Sequence, residues 1–352
     1  MQLTLLVPEL IWPEPDDPQA FAGLDTPALN TLLARSKANF RPARAFEAAL
    51  AEAFGHAENA AYAAFRRLGE ASPHPEPNTA GWLCSDPIHL RFHQEHLVLA
   101  DSRCLDIAIE EAEALVDALN EHFQGIAHFQ IASAGRWYVQ LSEEPHPESF
   151  DTLPQSAVAG RRVERLLPEG EQARPLRQLF TEAQMLLHSH PANRQRETAG
   201  KLPINGLWLW GGGTLPPQHK ADLATLWSNN PLAIGLARAA GVPEQPLPGN
   251  AANFLNRATA NGHHLIVLED LQEAVHYEKA EAYSPAVNAL EQHWFAPLRA
   301  ALAQGKIAQL RIETTTAYGT LRWQSSRTDQ WKLWRPRQTL GEIARNLAKA
   351  PQ

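Results

Sequence analysis

The stretch Asn205-Gly-Leu-Trp-Leu-Trp-Gly-Gly-Gly213 decides the fold. Ile204 to Trp210 is an apolar run too short for a helix, so it reads as a buried strand that runs into glycines. In an α/β sheet, ligands sit beyond the carboxyl ends of the strands, which makes Gly211 to Gly213 a reasonable pocket floor. A tight turn explains the same glycines.

Working outward, helical and extended patterns alternate, which favours an α/β architecture. On the C-terminal side, Pro231 to Ala240 is a short helix stopped by Gly241 and Pro243. His264 to Leu268 is a short apolar strand bounded by Asn261-Gly262 and by acids. Ser284 to Gln304 reads as a helix with Ser284 as cap and Pro285 at its first position. Ile307 to Glu313, Thr320 to Gln324 and Trp331 to Trp334 look extended, and a last helix starts at Leu340.

On the N-terminal side, Leu3 to Val7 is a strand ending at Pro8, and Thr26 to Ala38 and Arg44 to Gly69 are helical. Pro73 to Pro77 breaks the chain and suggests a domain boundary. From Gly81 to about Arg165 the pattern becomes hairpin, helix and strands. Ile88 to His93 and His96 to Ala100 flank a short turn, with His93 facing His96. That register extrapolates Cys84 to a position opposite Leu105, next to Cys104, so the two thiols are either a redox-linked pair or two reduced, buried groups. Leu105, Ala108, Ile109, Ala112, Leu115, Val116, Leu119 and Phe123 recur at helical spacing and give a helix one face to pack on a sheet. Gly135 to Leu141 is a strand, and Pro175 to His188 a helix that returns the chain to the larger body.

With 352 residues, 44% of them apolar, the chain can bury a full core. A net charge of −8 disfavours broad attraction to nucleic acid or anionic lipid. No apolar run approaches the roughly 20 residues of a membrane helix. The N-terminus shows no basic stretch before an apolar core, so the expected location is the cytoplasm, without a membrane partner.

Several groups of residues invite a chemical reading. His89, Arg91 and His93 alternate on one strand face near His96 and Asp86, a set suited to a phosphate or a metal, or else a solvated hairpin face. His188-Ser-His190 would diverge by roughly 200° on a helix and can share a metal only if the helix ends at His188; helix capping by a histidine is the other reading. Glu182, Gln184, Asn193, Arg194, Arg196 and Asn205 form a polar series around the strand that carries Trp208 and Trp210. Together with Arg136 and Arg161 they supply enough guanidinium for an anionic small molecule.

Arg322, Trp323, Arg327, Trp331, Lys332, Trp334, Arg335 and Arg337 interleave cations with tryptophans, opposed by Asp329. That mixture suits single-stranded nucleic acid, or hairpin strands whose tryptophans pack inward. Glu269, Asp270 and Glu273 form an acidic run able to hold a cation or to end a strand in solvent.

Asn205 to Gly213, Pro231 to Gly241 and Leu265-Ile-Val-Leu-Glu-Asp270 resemble the C-terminal core of archaeal-type cofactor-independent phosphoglycerate mutases, within the alkaline phosphatase superfamily. The chain as a whole resembles a bacterial phosphoglycerate-mutase-related family, the RpfE-type regulatory proteins. Asp86-Pro-Ile-His-Leu90, His96-Leu-Val-Leu99, Gly135-Arg-Trp-Tyr138 and Glu182 to Arg194 carry that resemblance. It implies an alkaline-phosphatase-like core sheet flanked by helices, with an inserted α+β cap. The expected division is 1–78 and 171–352 for the core and 79–170 for the cap.

Working members of that superfamily use two metal ions to activate a serine or threonine nucleophile, so losing several ligands removes most of the rate. Here the first strand leads into Pro8-Glu9 where the resemblance implies Asp-Gly. Gln272-Glu273-Ala274-Val275-His276 aligns with an Asp-Glu-Ala-Gly-His element and places an amide where a carboxylate belongs. Arg311-Ile-Glu-Thr-Thr-Thr316 stands where an Asp-His pair is implied, and Ala43 to Gly69 contains no serine or threonine. The expected function is therefore non-catalytic: a mutase-like regulatory or binding protein that recognises an anionic ligand or a protein partner and needs no cofactor. The alternatives are an active mutase or phosphatase using Mn or Zn at Glu9, Glu269, Glu273 and His276, and a single-strand nucleic-acid binder.

Overall fold

The computed structural model describes residues 1–58, 60–70, 81–93, 96–142, 152–162, 171, 173–217 and 220–349. Its strands are β1 (Gln2–Leu6), β2 (Lys37–Arg41), β3 (Trp82–His93), β4 (His96–Ala100), β5 (Ala127–Ser133) and β6 (Arg136–Leu141). They continue with β7 (Gly206–Gly213), β8 (Thr225–Trp227), β9 (Glu244–Gln245), β10 (His263–Val267), β11 (Gln309–Thr316) and β12 (Gly319–Ser326). The chain divides into two compact units, Met1–Gly55 with Lys220–Gln352, and His56–His219. A mixed α/β unit is thus interrupted in sequence by an α+β unit, the class that the sequence predicts. Among the described residues no helix is long and apolar enough to cross a membrane.

The first unit is built on a seven-stranded sheet in the order β2-β12-β11-β1-β10-β8-β9. β11, β1, β10, β8 and β9 run parallel, whereas β12 and β2 close one edge antiparallel. Leu3, Leu5 and Val7 alternate into the same core as Ile266, Leu310 and Ile312, because side chains two apart share a sheet face. The second unit has β4-β3-β6-β5 with β7 added on β3, all antiparallel. Ala112, Leu115, Val116 and Leu119 of the helix Ile109–His122 are buried in its core with Phe129 and Val139. At about 1.5–3 kcal/mol per buried aliphatic side chain, that face alone anchors the helix.

The expected boundaries at 78/79 and 170/171 differ from these units. The helix Tyr62–Gly69 joins the second unit because Arg66 reaches Asp86 on β3. The helix Arg174–Ser189 and β7 join it because their apolar faces complete the same core. The Pro73 to Pro77 break lies outside the described residues.

The largest correction concerns β7 itself. It is an antiparallel neighbour of β3, with Asp86 opposite Trp208 and Trp82 opposite Gly213, so the glycines belong to the strand. A Cβ on Gly211 would come within 2.8 Å of Tyr62 Cβ, and one on Gly213 within 2.8 Å of Ala61 Cβ. Both glycines also have positive φ, +68° and +140°. Close approach of Tyr62 and Ala61 explains Gly211 and Gly213, while Gly212 and Gly213 also line a cavity of about 300 Å³ with His56, Ala60 and Phe65.

Smaller differences have equally local causes. Lys37–Arg41 leaves the expected helix and pairs with β12. Arg44 to Gly69 is two helices, Phe46–Ala53 and Tyr62–Gly69. Ser284 and Pro285 lie inside the helix Ala280–Leu290, with the Ser284 hydroxyl donating to Ala20 O at 2.6 Å. The His93 to His96 pairing is as expected, but Cys84 faces Tyr138 on one side and Trp210 on the other. Cys84 is buried, Cys104 half-buried, and both are thiols.

Trp331 to Trp334 is not a strand. Thr328–Trp331 forms a 3-10 turn held by Asp329, which accepts from the Ser326 amide at 2.8 Å and hydroxyl at 2.6 Å and pairs with Lys332. Burial opposes the Asp329 charge, but the bonds from Lys332 and Ser326 outweigh it and hold its pKa at about 2, below its ordinary 3.8. A depressed carboxylate contributes stability above its unfolded pKa and loses it as pH falls through the folded one. The Ser326 amide resonance is therefore expected to titrate near pH 2; a midpoint near 4 would show that the turn does not hold Asp329.

Candidate functional site

Parallel strands place a natural site at their carboxyl ends. In the first unit, the chain leaving β1 is held beside β11: Val7 N donates to Glu313 O and Glu9 N to Thr315 O, both at 2.8 Å. Leu10 N donates to Thr314 Oγ1 at 3.1 Å. Glu9 adopts φ +61°, a conformation that costs a non-glycine residue energy and that surrounding bonds must enforce. Its carboxylate lies 3.5 Å from His276 Nε2, with the side chains only 11% and 3% exposed. Residues 267 positions apart in sequence thus meet, and one carboxylate faces one imidazole.

The other residues of the alternative metal set do not complete that pair. His276 ends the helix Gln272–His276, where each residue turns about 100°. Gln272 and His276, four apart, both turn inward, while Glu273 points to solvent and pairs with Lys279 at 2.6 Å. Glu269 accepts from Asn230 Nδ2 at 2.9 Å. Glu313, in the stretch where an Asp-His pair is implied, is buried and takes two bonds from Arg322, at 2.7 and 3.0 Å. Catalytic zinc sites use three protein ligands and dinuclear sites more, and among the described residues no group of three or more His, Cys, Asp or Glu is placed to hold a metal. One carboxylate and one imidazole suffice to share a proton but do not fit a two-metal centre.

Several members of the ligand set expected in the second unit are engaged in structural bonds. Asp86 is fully buried and accepts from Arg66 Nη1 and Nη2 at 2.8 and 2.7 Å and from Trp210 Nε1 at 2.8 Å. Arg66 Nε donates to the Tyr138 hydroxyl at 2.9 Å, which donates to Glu70 at 2.7 Å, and Arg136 pairs with Glu70 at 2.9 Å. Burial, which would discharge Arg66, is overridden by Asp86, so its pKa stands well above the ordinary value. Burial also raises the Tyr138 phenol well above its usual range, against the pull of Arg66.

The remaining members are dispersed. His89 Nδ1 meets Pro203 O at 2.8 Å, and burial lowers its pKa, with Arg91 adding to the effect. Asn205 clamps Leu90 N and O at 2.7 and 2.8 Å. Asn193 holds Leu187 O and Ile204 O, each at 2.7 Å. Arg196 is buried against Glu111 and three backbone carbonyls. Trp208 Nε1 donates to Leu153 O at 2.9 Å. Glu182 lies 3.4 Å from His122 Nε2 and accepts from Gln178, and Gln184 is half-buried. Arg91, His188 and Arg194 are exposed. His190 caps the next helix by accepting from Ala192 N at 3.2 Å, so the His188-Ser-His190 metal dyad does not form. Sequence reasoning passed over Arg66; its one signal was a charged pair, Arg66-Arg67, inside an otherwise alanine-rich helix.

Comparison with known proteins fits this division. The family described as 2,3-bisphosphoglycerate-independent phosphoglycerate mutase matches residues 89–193. The chain is 33% identical over 135 residues to 2,3-bisphosphoglycerate-independent phosphoglycerate mutase 2 of Methanothermobacter thermautotrophicus, covering 34% of this chain and 31% of that one. It is 27% identical over 145 residues to the corresponding mutase of Methanosarcina mazei, covering 38% and 34%. The matched segments span about a third of each relative. Among solved structures, the PH0037 protein of Pyrococcus horikoshii superposes with a TM-score of 0.51 at 15% identity, over 92% of this chain and 87% of that one. Residues 89–193 are thus related to phosphoglycerate mutases, and the chain shares the α/β fold of the PH0037 protein. The family match lies inside the second unit, whereas Glu9 and His276 belong to the first. The stretches 205–213, 231–241 and 265–270 lie outside the matched residues.

Proposed function

From that relation as premise, we propose that this chain is a phosphoglycerate-mutase-like protein that acts by binding and does not transfer phosphate. This is the regulatory role implied by its RpfE-type resemblance, exercised in the cytoplasm without a metal. The observation that carries the reading is the make-up of the carboxyl ends of the first unit's strands: Glu9 meets His276, Glu273 turns to solvent and pairs with Lys279, and among the described residues no group of three or more His, Cys, Asp or Glu is placed to hold a metal.

A second reading, an active mutase or phosphatase with a rearranged site, is favoured by one observation. Glu9 is held at positive φ directly after β1, and such strain is often stored at working sites. Calorimetric titration with Mn²⁺ and Zn²⁺, run beside mutase and phosphomonoesterase assays, separates the two. The binding reading expects no turnover above buffer and no tight two-equivalent metal site. Two bound equivalents with turnover that His276→Ala abolishes would establish the enzyme reading instead.

A further inference from the structure

A groove of about 410 Å³ in the first unit is used by none of the chemistry above. One wall is the helix Ala296–Ala303, whose Ala296, Arg299, Ala300 and Ala303 share a face at helical spacing. The other wall brings Arg35, Arg327, Trp331 and Leu333.

Two observations mark the groove as a recognition surface. The first is its charge. Burial lowers the Arg299 pKa, and the Arg35 and Arg337 charges lower it further, with Glu291 as the one opposing group. Glu291 is already committed to the amides of Ala28 and Leu29, at 2.7 and 3.0 Å. Among the described residues, no carboxylate forms an ion pair with Arg35, Arg299, Arg327 or Arg337, and the buried Arg299 Nε has no hydrogen-bond partner. Like charges gathered around a half-buried guanidinium are stabilised by an anion. The second is the exposed apolar rim, where Trp331, Leu333 and Trp334 are 73%, 71% and 76% exposed. Adjacent large apolar side chains left in solvent commonly mark interaction sites, and tryptophan and arginine dominate the energetic centres of protein interfaces.

We propose that this groove docks a short acidic peptide segment of a partner protein. Its carboxylates meet Arg35, Arg299 and Arg327, and an apolar anchor residue lies between Trp331, Leu333 and the alanine face of the helix. A nucleic-acid strand fits less well: apart from Trp331, the groove is lined by Leu333, alanines and arginines, which offer no succession of stacking faces. The site stands whether or not the Glu9–His276 pair turns over substrate, because it shares no residue with it.

The test pans the full-length chain against two displayed heptapeptide libraries, one randomised over Asp, Glu, Leu, Phe and Trp, the other with Lys and Arg in place of the acids. Affinity of the selected peptide is then measured by fluorescence anisotropy beside a labelled oligo-dT strand. The acidic library is expected to enrich, and Trp331→Ala and Arg299→Ala are each expected to weaken the selected peptide about tenfold. Trp331→Ala removes an exposed side chain, so thermal unfolding should be unchanged and a loss of affinity cannot be a loss of fold. Enrichment of the basic library alone, enrichment of neither, or affinity indifferent to both substitutions overturns the proposal. Tighter binding of oligo-dT, lost on the same substitutions, overturns it in favour of nucleic acid.

Discussion

Arg66→Met is expected to destabilise the second unit by about 3–5 kcal/mol, because it leaves a carboxylate buried without its counter-charge. Asp86 is fully buried on β3, and two of its three hydrogen bonds come from Arg66. The Tyr138 hydroxyl would lose its donor at the same time, and the Tyr138 and Trp210 rings would lose a guanidinium held 4.7 and 5.2 Å from their centroids. The measurement is hydrogen exchange at the β3 amides that pair with β7. A loss of 3 kcal/mol or more should speed exchange about a hundredfold or more if those amides open with the unit. The double substitution Arg66→Met with Asp86→Leu removes both charges and should recover most of the loss. A single substitution that leaves exchange within a factor of three would show that the pair is not structural, and would return Asp86 to the ligand-binding candidates.

The second large effect falls on Arg196, one of the guanidinium groups that the sequence offers to an anionic ligand. Its side chain is fully buried. Nη1 donates to Glu111 at 2.6 Å and to Asp106 O at 3.3 Å, Nε donates to Leu202 O at 2.9 Å, and Nη2 donates to Leu105 O. Glu111 also accepts from Ala108 N at 2.8 Å, so Arg196 ties the start of the helix Ile109–His122 to the segment that leads into β7. Arg196→Met is expected to cost about 2–4 kcal/mol by orphaning buried carbonyls and a partly buried carboxylate. Arg196→Lys should recover only part of that, since one ammonium cannot span the directions that a planar fork serves. Chemical denaturation followed by circular dichroism reads the loss. A stable Arg196→Met protein that binds an inorganic phosphate probe more weakly than the parent chain does would show that Arg196 is a ligand contact after all.

These two arginines show where a sequence stops being informative. Arg66, Arg136 and Arg196 carry the same charge and donor set as Arg35 and Arg299, and spacing alone does not say which of them meets a carboxylate. In the second unit Asp86, Glu70 and Glu111 neutralise the guanidinium groups beside them. In the first unit the nearby acid, Glu291, accepts from the amides of Ala28 and Leu29 and opposes the charges around Arg299 without forming an ion pair with it. The basic tryptophan stretch was visible in the sequence, but its inward-packed reading holds only for Trp323, which is 4% exposed on β12. Trp331 and Trp334 stand on a turn that Asp329 fixes.

The sequence by itself determined the elements whose signal is local. β1, β10 and β11 follow from short apolar runs, and the helix Ile109–His122 from a 3.6-residue period. The hairpin register from His93 to His96 follows from the length of its turn, and the alternation of elements gave the α/β class. The tertiary structure decided everything that depends on which distant segments meet. β7 looks the same in sequence whether it joins a parallel core or an antiparallel one, and its pairing with β3 brought Gly211 and Gly213 against Tyr62 and Ala61. Glu9 and His276 are brought to 3.5 Å only by the parallel pairing of β1 with β10 and β11, while the one-residue step from Gln272 to Glu273 carries the next carboxylate out to solvent. Periodicity fixes what a segment becomes; burial of its apolar face chooses its neighbours, and the neighbours decide whether a polar side chain is a structural tie or a free binding group.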